Sequence, residues 1–268
     1  MPSRARVLSV GSGGIGTIAA LNLEARRSIL RITLKLCHSC EKRRPTEILN
    51  TVPHVTESVS PFGYVVCCTN NIPDAGPSLC EIIAPGITAG DTVIILIQNG
   101  LNIERQFPSR FPENIILSGV SRNDVHKVTP GVIRKKQKDN LHIGAYNNAR
   151  LHIDDQRRAA ERFVRLYNAE EHTTCFYEPG VAHDRWSKLV YNATFNPTCA
   201  LTGVNTRDLH LTEGAFDALV IPVTKEVTQV SEAKGYPPPE NIILETILSN
   251  PIDEKDLSQH ANRFGEGS

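Results

Sequence analysis

The chain has 268 residues, of which 40% are apolar, 22% charged and 6% aromatic, enough for one large domain or two modest ones with a substantial core. Its 29 Lys and Arg balance 29 Asp and Glu, which argues against a global electrostatic grip on nucleic acid or an anionic membrane, though a local basic patch can still hold a small anion. The longest apolar runs, such as 92–97, fall far short of the roughly 20 residues of a membrane span, and the N-terminus lacks the apolar stretch of a signal peptide. The expectation is a soluble cytoplasmic protein with no nucleic-acid or membrane partner.

Residues 6–10 form a short apolar run that ends in a glycine cluster. Residues 15–26 follow with helical spacing, apolar at Ile15, Ala19, Leu21 and Leu23, and 29–37 reads as a second strand with basic residues interleaved. Further short β-rich runs lie at 64–68, 92–97 and 115–120, bounded by Gly, Pro or Asn. The stretch 74–87 carries Gly76, Pro77, Pro85 and Gly86, so any helix in it must be short. Strands alternating with helices predict βαβ units and a parallel sheet covered on both faces. From 154 onward the pattern becomes helical: 154–168, 185–195, 212–234 and 240–248, with Gly235-Tyr-Pro-Pro-Pro as a hard stop. The fold class is therefore α/β, with a Rossmann-type dinucleotide-binding domain over 1–172 and an all-helical domain over 173–268.

Seven cysteines, an odd number with two adjacent in an apparent buried strand, fit a reducing compartment. Cys37-His-Ser-Cys40 matches C-x-x-C, but no partner pair follows at zinc spacing and no helix opens at Cys37. The expectation is ordinary thiols and no metal.

The segment Val7-Leu-Ser-Val-Gly11-Ser-Gly13-Gly-Ile-Gly16 places G-x-G-x-x-G between the first strand and the first helix. Gly11 permits a tight turn, Gly13 lets backbone approach a pyrophosphate, and Gly16 allows close helix–strand packing. The helix N-terminus supplies N–H groups and a positive dipole for phosphate. Gly11, Ser12, Gly13, Gly14, Ile15 and Gly16 are thus candidate cofactor residues; the competing reading is a glycine-rich turn without a ligand. NAD binders usually carry an acid after the second strand to bind the ribose hydroxyls. Here the region reads Leu34-Lys-Leu-Cys-His-Ser-Cys-Glu-Lys-Arg-Arg44, with no acid at the strand end. The basic cluster around Arg43 attracts a 2′-phosphate, so the expected cofactor is NADPH.

In the second half, Lys188, Asn192 and Asn196 recur every four residues. They drift only about 80° around a helix and share one polar stripe. Pro197 is expected to end or kink that helix.

The glycine loop, Gln98-Asn99-Gly100-Leu101 after a strand, and Lys188-Leu-x-x-Asn192-x-x-x-Asn196-Pro197, continued by Ala200-Leu-Thr, together resemble the ketopantoate reductase family over nearly the whole chain. The resemblance implies a Rossmann domain joined to a helical domain, with hydride transferred from NADPH to the ketone of a 2-keto acid such as 2-dehydropantoate. It implies Lys188 as general acid, Asn192 and Asn196 as substrate contacts, and Asn99 between cofactor and substrate. Asn70 stands after the strand 64–68, where family members commonly have a lysine near the cofactor phosphate; this predicts a weaker NADPH preference than is usual. The family's later Ser-Met motif and Glu find no counterpart in 258–268, which predicts a chain that binds NADPH but reduces ketopantoate poorly. The implied partner is a small 2-keto acid, and a homodimer is one assembly the resemblance allows. A non-catalytic dinucleotide-binding relative, or another two-domain dehydrogenase of 3-hydroxyacid or opine type, shares part of this pattern. The Lys188–Pro197 run favours the reductase over the latter.

Overall fold

The computed structural model describes residues 5–25, 29–33, 47–57, 60–72, 76–123, 125–129, 132–135, 138–168 and 173–248. Its strands are β1 (Arg6–Val10), β2 (Ile29–Thr33), β3 (Glu47–Leu49), β4 (Tyr64–Cys67), β5 (Val93–Leu96), β6 (Ile116–Ser121), β7 (Val125–Thr129), β8 (Val132–Lys135), β9 (Asp139–Ala145) and β10 (Thr173–Tyr177). Its helices are α1 (Gly14–Ala25), α2 (Leu79–Ile83), α3 (Phe107–Arg110), α4 (Ile153–Tyr167), α5 (Val181–Thr202), α6 (Thr206–Leu211), α7 (Ile221–Ala233) and α8 (Ile242–Leu248). Eight strands make one sheet in the order β10-β9-β6-β5-β4-β1-β2-β3, and β7 and β8 form a separate hairpin. Within the large sheet only β6 and β9 run antiparallel. The order β3-β2-β1-β4-β5-β6 is the doubly wound pattern, which binds dinucleotides beyond the carboxyl ends of its strands.

The central strands are apolar on both faces because both faces are covered. Val7, Val66, Ile95 and Leu117 point into one core, shared with Ala19 and Leu23 of α1 and Ala159, Ala160 and Phe163 of α4. Their neighbours Leu8, Val65, Ile94 and Ile116 point into the other, with Ile83 and Phe107. This is the period-2 alternation of a pleated strand read simultaneously on both sides. In 74–87 the described helix is short, as its Gly and Pro content predicts. Ser78 caps α2 reciprocally with Glu81: the Glu81 amide donates to Ser78 Oγ at 3.3 Å, and the Ser78 amide to Glu81 Oε2 at 2.7 Å.

The chain divides into two compact units between Val181 and Ala182. The expected boundary after 172 moves because β10 hydrogen-bonds along β9 and so belongs to the sheet. Beyond 182 the described elements are all helical, around a small core of Phe195, Leu209 and Val220. Pro197 neither ends α5 nor caps it; the helix continues to Thr202. Pro197 removes one amide donor, and the helix runs on through it, with Thr198 Oγ1 donating to the Thr194 carbonyl at 2.6 Å and Thr202 Oγ1 to the Thr198 carbonyl at 2.7 Å. The expected helix over 212–234 begins later. Gly214 has φ +72°, which breaks the chain after α6. Residues Phe216–Val220 then form a π turn ahead of α7, in which the Ile221 amide reaches the Phe216 carbonyl. Pro222 explains it, since its missing N–H leaves the normal i−4 bond unmade.

Candidate functional site

Three loops meet at the carboxyl edge of β1, β4 and β5. Gly11 has φ +104°, and a Cβ there would sit 2.8 Å from the Cys68 carbonyl carbon and the Thr69 nitrogen. Gly16 is still tighter, since its Cβ would fall 2.1 Å from the Gly11 carbonyl oxygen. Gly13 is the opposite case: a Cβ there would meet no protein atom within 4 Å. The first and third glycines of the motif are therefore demanded by packing, while the middle one opens onto space where a phosphate can approach the backbone. The Thr17 amide donates to the Gly13 carbonyl at 2.9 Å, which starts α1 directly behind that opening. Loop, helix start and opening fit a dinucleotide pyrophosphate.

Gln98 joins the next two strand ends. Its buried amide Nε2 donates to the Thr69 carbonyl at 2.9 Å and to Thr69 Oγ1 at 3.0 Å. Gly11 against 68–69, and Gln98 on Thr69, place Asn70 and Asn99 on adjacent loops of the same edge, both exposed. Gly100, with φ +103°, makes the turn after Asn99. Burial, with a smaller contribution from Asp139, pushes the Cys68 thiol up to about 12, so the cysteine whose Cβ packs beside Gly16 is a neutral group.

Sequence reasoning missed one wall of this loop. Val125, the first residue of β7, lies against the helix start: a Cβ on Gly14 would be 2.8 Å from Val125 Cγ1. The available signal was Pro130-Gly131, a turn pair flanked by Val128-Thr129 and Val132-Ile133. The basic cluster with Arg43, and Cys37 and Cys40, lie outside the described residues. Among the described residues no three His, Cys, Asp or Glu side chains gather to hold a metal.

In the second unit, Lys188, Asn192 and Asn196 lie on the continuous helix α5, the first two half-buried and the third exposed. Val190, Thr194 and Thr198, two positions further along, are buried, and Thr194 Oγ1 sits 3.3 Å from Thr224 Oγ1 of α7. Two residues turn a helix by about 200°, so the Lys–Asn–Asn stripe points away from that buried row, while Phe195 and Cys199 of the small core flank the stripe. One ammonium and two carboxamides in line can protonate or hydrogen-bond an oxygen-rich ligand.

Residues 7–148 match the family model described as Ketopantoate reductase PanE/ApbA, and residues 181–260 match Ketopantoate reductase PanE/ApbA C terminal. An uncharacterized protein of Saccharomyces cerevisiae is 30% identical over 234 residues, which cover 75% of this chain and 65% of that protein. A 2-dehydropantoate 2-reductase of Streptococcus pyogenes is 26% identical over 167 residues, 62% of this chain and 52% of that enzyme. The chain thus spans about half to two thirds of the length of these curated relatives. Among solved structures, the 2-dehydropantoate 2-reductase from Methylococcus capsulatus aligns with a TM-score of 0.67 at 23% identity, covering 96% of this chain and 84% of that one. A D-mandelate dehydrogenase with NADH aligns at 0.72 and 13% identity, covering 98% and 86%. A dimeric ketopantoate reductase from Staphylococcus aureus aligns at 0.67 and 17% identity, covering 96% and 93%. Among the described residues no helix is long and apolar enough to cross a membrane.

Proposed function

The chain belongs to the ketopantoate reductase family of oxidoreductases, and from that premise we propose that it reduces a 2-keto acid, 2-dehydropantoate or a close relative, with NADPH. The observation that carries the reading is the α5 stripe: Lys188, Asn192 and Asn196 stand in line, turned away from the buried row Val190, Thr194 and Thr198. A lysine followed at helical spacing by two asparagines supplies one proton donor and two amides along one line of the helix.

When bound, the nicotinamide supplies the hydride. The protein's residues do the rest. Gly11 and Gly16 hold the loop shut and Gly13 keeps it open to phosphate, so the dinucleotide is oriented by backbone. Hydride addition to a ketone leaves charge on the carbonyl oxygen, and the Lys188 ammonium is the group that stabilises and protonates it. Asn192 and Asn196 hydrogen-bond the hydroxyl or carboxylate of the acid. Asn99, at the end of β5, is the cofactor-side contact. NADPH is favoured over NADH by the absence of an acid after the second strand and by Lys42, Arg43 and Arg44. The class is kept as 2-keto acids because the fold is shared with a D-mandelate dehydrogenase as well as with ketopantoate reductases. The dimeric Staphylococcus aureus relative supports a homodimer as the working form.

NADPH consumption across a panel of 2-keto acids tests the reading directly. The expected result is NADPH binding with oxidation that depends on one acid of the panel and is slow with 2-dehydropantoate itself. NADPH binding with no oxidation by any acid would instead favour a non-catalytic dinucleotide-binding relative.

A further inference from the structure

The β7–β8 hairpin does not join the eight-stranded sheet. An isolated two-stranded hairpin is marginal in water, so its placement has to come from ties outside its own ladder. Beyond the last β6–β9 pair the Arg122 amide donates to the Asn140 carbonyl at 2.8 Å, and Asn123 follows it in the chain. Its Oδ1 accepts from the Asn140 amide at 2.8 Å, and its Nδ2 donates to Ser121 Oγ at 2.9 Å and to Asp139 Oδ1.

Asp139 is wholly buried. Its other oxygen, Oδ2, accepts from Asn22 Nδ2 on α1 and from the Tyr167 hydroxyl on α4 at 2.7 Å. A carboxylate taken out of water needs donors on both oxygens, and here they come from three separate segments of the chain. Asn22 itself is held by Thr173 Oγ1 of β10 at 3.1 Å. Asn22 lies eight residues, about two turns, beyond Gly14 on the same helix. Val125, against Gly14, lies two residues beyond Asn123. The ties close a circuit: Gly14, along α1 to Asn22, across Asp139 to Asn123, and back through Val125 to Gly14.

We propose that Asp139 is a positioning residue for dinucleotide binding: through Asn22 and Asn123 it holds the hairpin against the start of α1 and so sets the opening at Gly13. The inference rests on the dinucleotide reading of the glycine loop. It assigns Asn22 and Asn123 to the same task; the Tyr167 hydroxyl, which faces Asn22 as well as Asp139, ties them to α4 rather than to the hairpin.

That asymmetry supplies the test. Asn123→Ala and Tyr167→Phe each take one donor from the same carboxylate, so both lower the melting temperature. Asn123→Ala is expected to raise the NADPH dissociation constant about tenfold or more, as loss of a supporting contact does for a positioned group. In the ligand-free protein it is also expected to speed hydrogen exchange at the Thr17 and Val125 amides. Asn22→Ala should act in the same direction from the other end of the circuit. Tyr167→Phe should leave the dissociation constant within about twofold of the parent and the Thr17 amide protected. If the parent binds NADPH and Asn123→Ala binds it equally well, or if Tyr167→Phe weakens binding as much, the positioning role is overturned while the dinucleotide reading stands. If the parent binds neither NADPH nor NADH, both fall together.

Discussion

At the carboxyl edge of the sheet the residues that matter have almost no side chains, whereas on α5 they are long and polar. Gly11 and Gly16 act by what they lack: each would drive a Cβ into backbone at 2.8 Å and 2.1 Å respectively. In the proposed site Lys188, Asn192 and Asn196 would act by what they carry, and the buried row on the same helix is made of other residues, Val190, Thr194 and Thr198. The comparison separates two ways of building a site. In the loop, fold and function share the same atoms. On the helix they belong to different residues, so chemistry can change there while the fold persists.

The largest effect is expected where fold and function coincide. Gly16→Ala should abolish dinucleotide binding and lower stability by about 1–3 kcal/mol or more, since a backbone carbonyl cannot move aside as a side chain can. Gly13→Ala is its counterpart: an unchanged melting temperature with weakened NADPH binding, because only a ligand occupies the space its Cβ would enter. Thermal melts and cofactor titrations on the pair break the comparison if the two variants behave alike.

Next in size comes Lys188→Ala. Turnover should drop by about 10²–10⁴-fold, the range for loss of a general acid, with NADPH affinity and melting temperature held. Asn192→Ala should mainly raise the Michaelis constant, because its contact exists before and during the reaction. A Lys188→Ala protein that turns over at the parental rate makes the stripe a solvated helix face.

Cofactor choice is expected to be a smaller effect. Pairing one phosphate charge is worth about 1–3 kcal/mol, so NADPH should bind up to roughly 100-fold more tightly than NADH. With Asn70 exposed after β4, where relatives commonly carry lysine, the ratio should lie toward the low end. Equal dissociation constants in fluorescence titrations would remove the 2′-phosphate from the account.

The smallest effect concerns thiols and separates the units by pH. Burial pushes Cys68 up to about 12 and Cys80 up to about 11, from an ordinary value of 9.0, and raises Cys67 and Cys175 strongly as well. A thiol raised in the folded state contributes stability that is complete below its unfolded value and lost as pH climbs through the folded one. Urea midpoints of the sheet unit should therefore be flat near neutrality and fall from about pH 9 upward. The helical unit, whose described cysteine is Cys199, should respond less. A midpoint for the sheet unit that holds steady to pH 11 would contradict the burial of these thiols.

Strands β1, β4, β5 and β6 are readable in sequence because two covered faces demand an unbroken apolar run. Strands β7 to β10 are not. Asp139-Asn-Leu-His-Ile-Gly-Ala becomes β9 because β6 offers it an edge, and Asp139 is tolerated there because Asn22, Asn123 and Tyr167 supply donors from elsewhere in the chain. Gly144 needs its lack of a side chain because the Glu178 carbonyl would lie 2.1 Å from its Cβ, a contact 34 residues away. Pro197 misleads as well: it costs α5 one amide donor, yet the helix runs through it to Thr202.

What the sequence determined alone are features governed by local rules: a glycine spacing that only a tight turn satisfies, apolar runs of strand length, and a polar stripe at helical period. Each depends on residues within a few positions of one another, where backbone sterics and periodicity act without regard to the rest of the chain. The tertiary structure alone decided which strands are neighbours, that Val125 walls the helix start at Gly14, and that Asp139 gathers donors from residues 22, 123 and 167. A buried carboxylate is costly anywhere in the linear chain. It becomes favourable only where folding brings enough donors to it, and that distance in sequence, 117 residues from Asn22 to Asp139, leaves no local pattern to read.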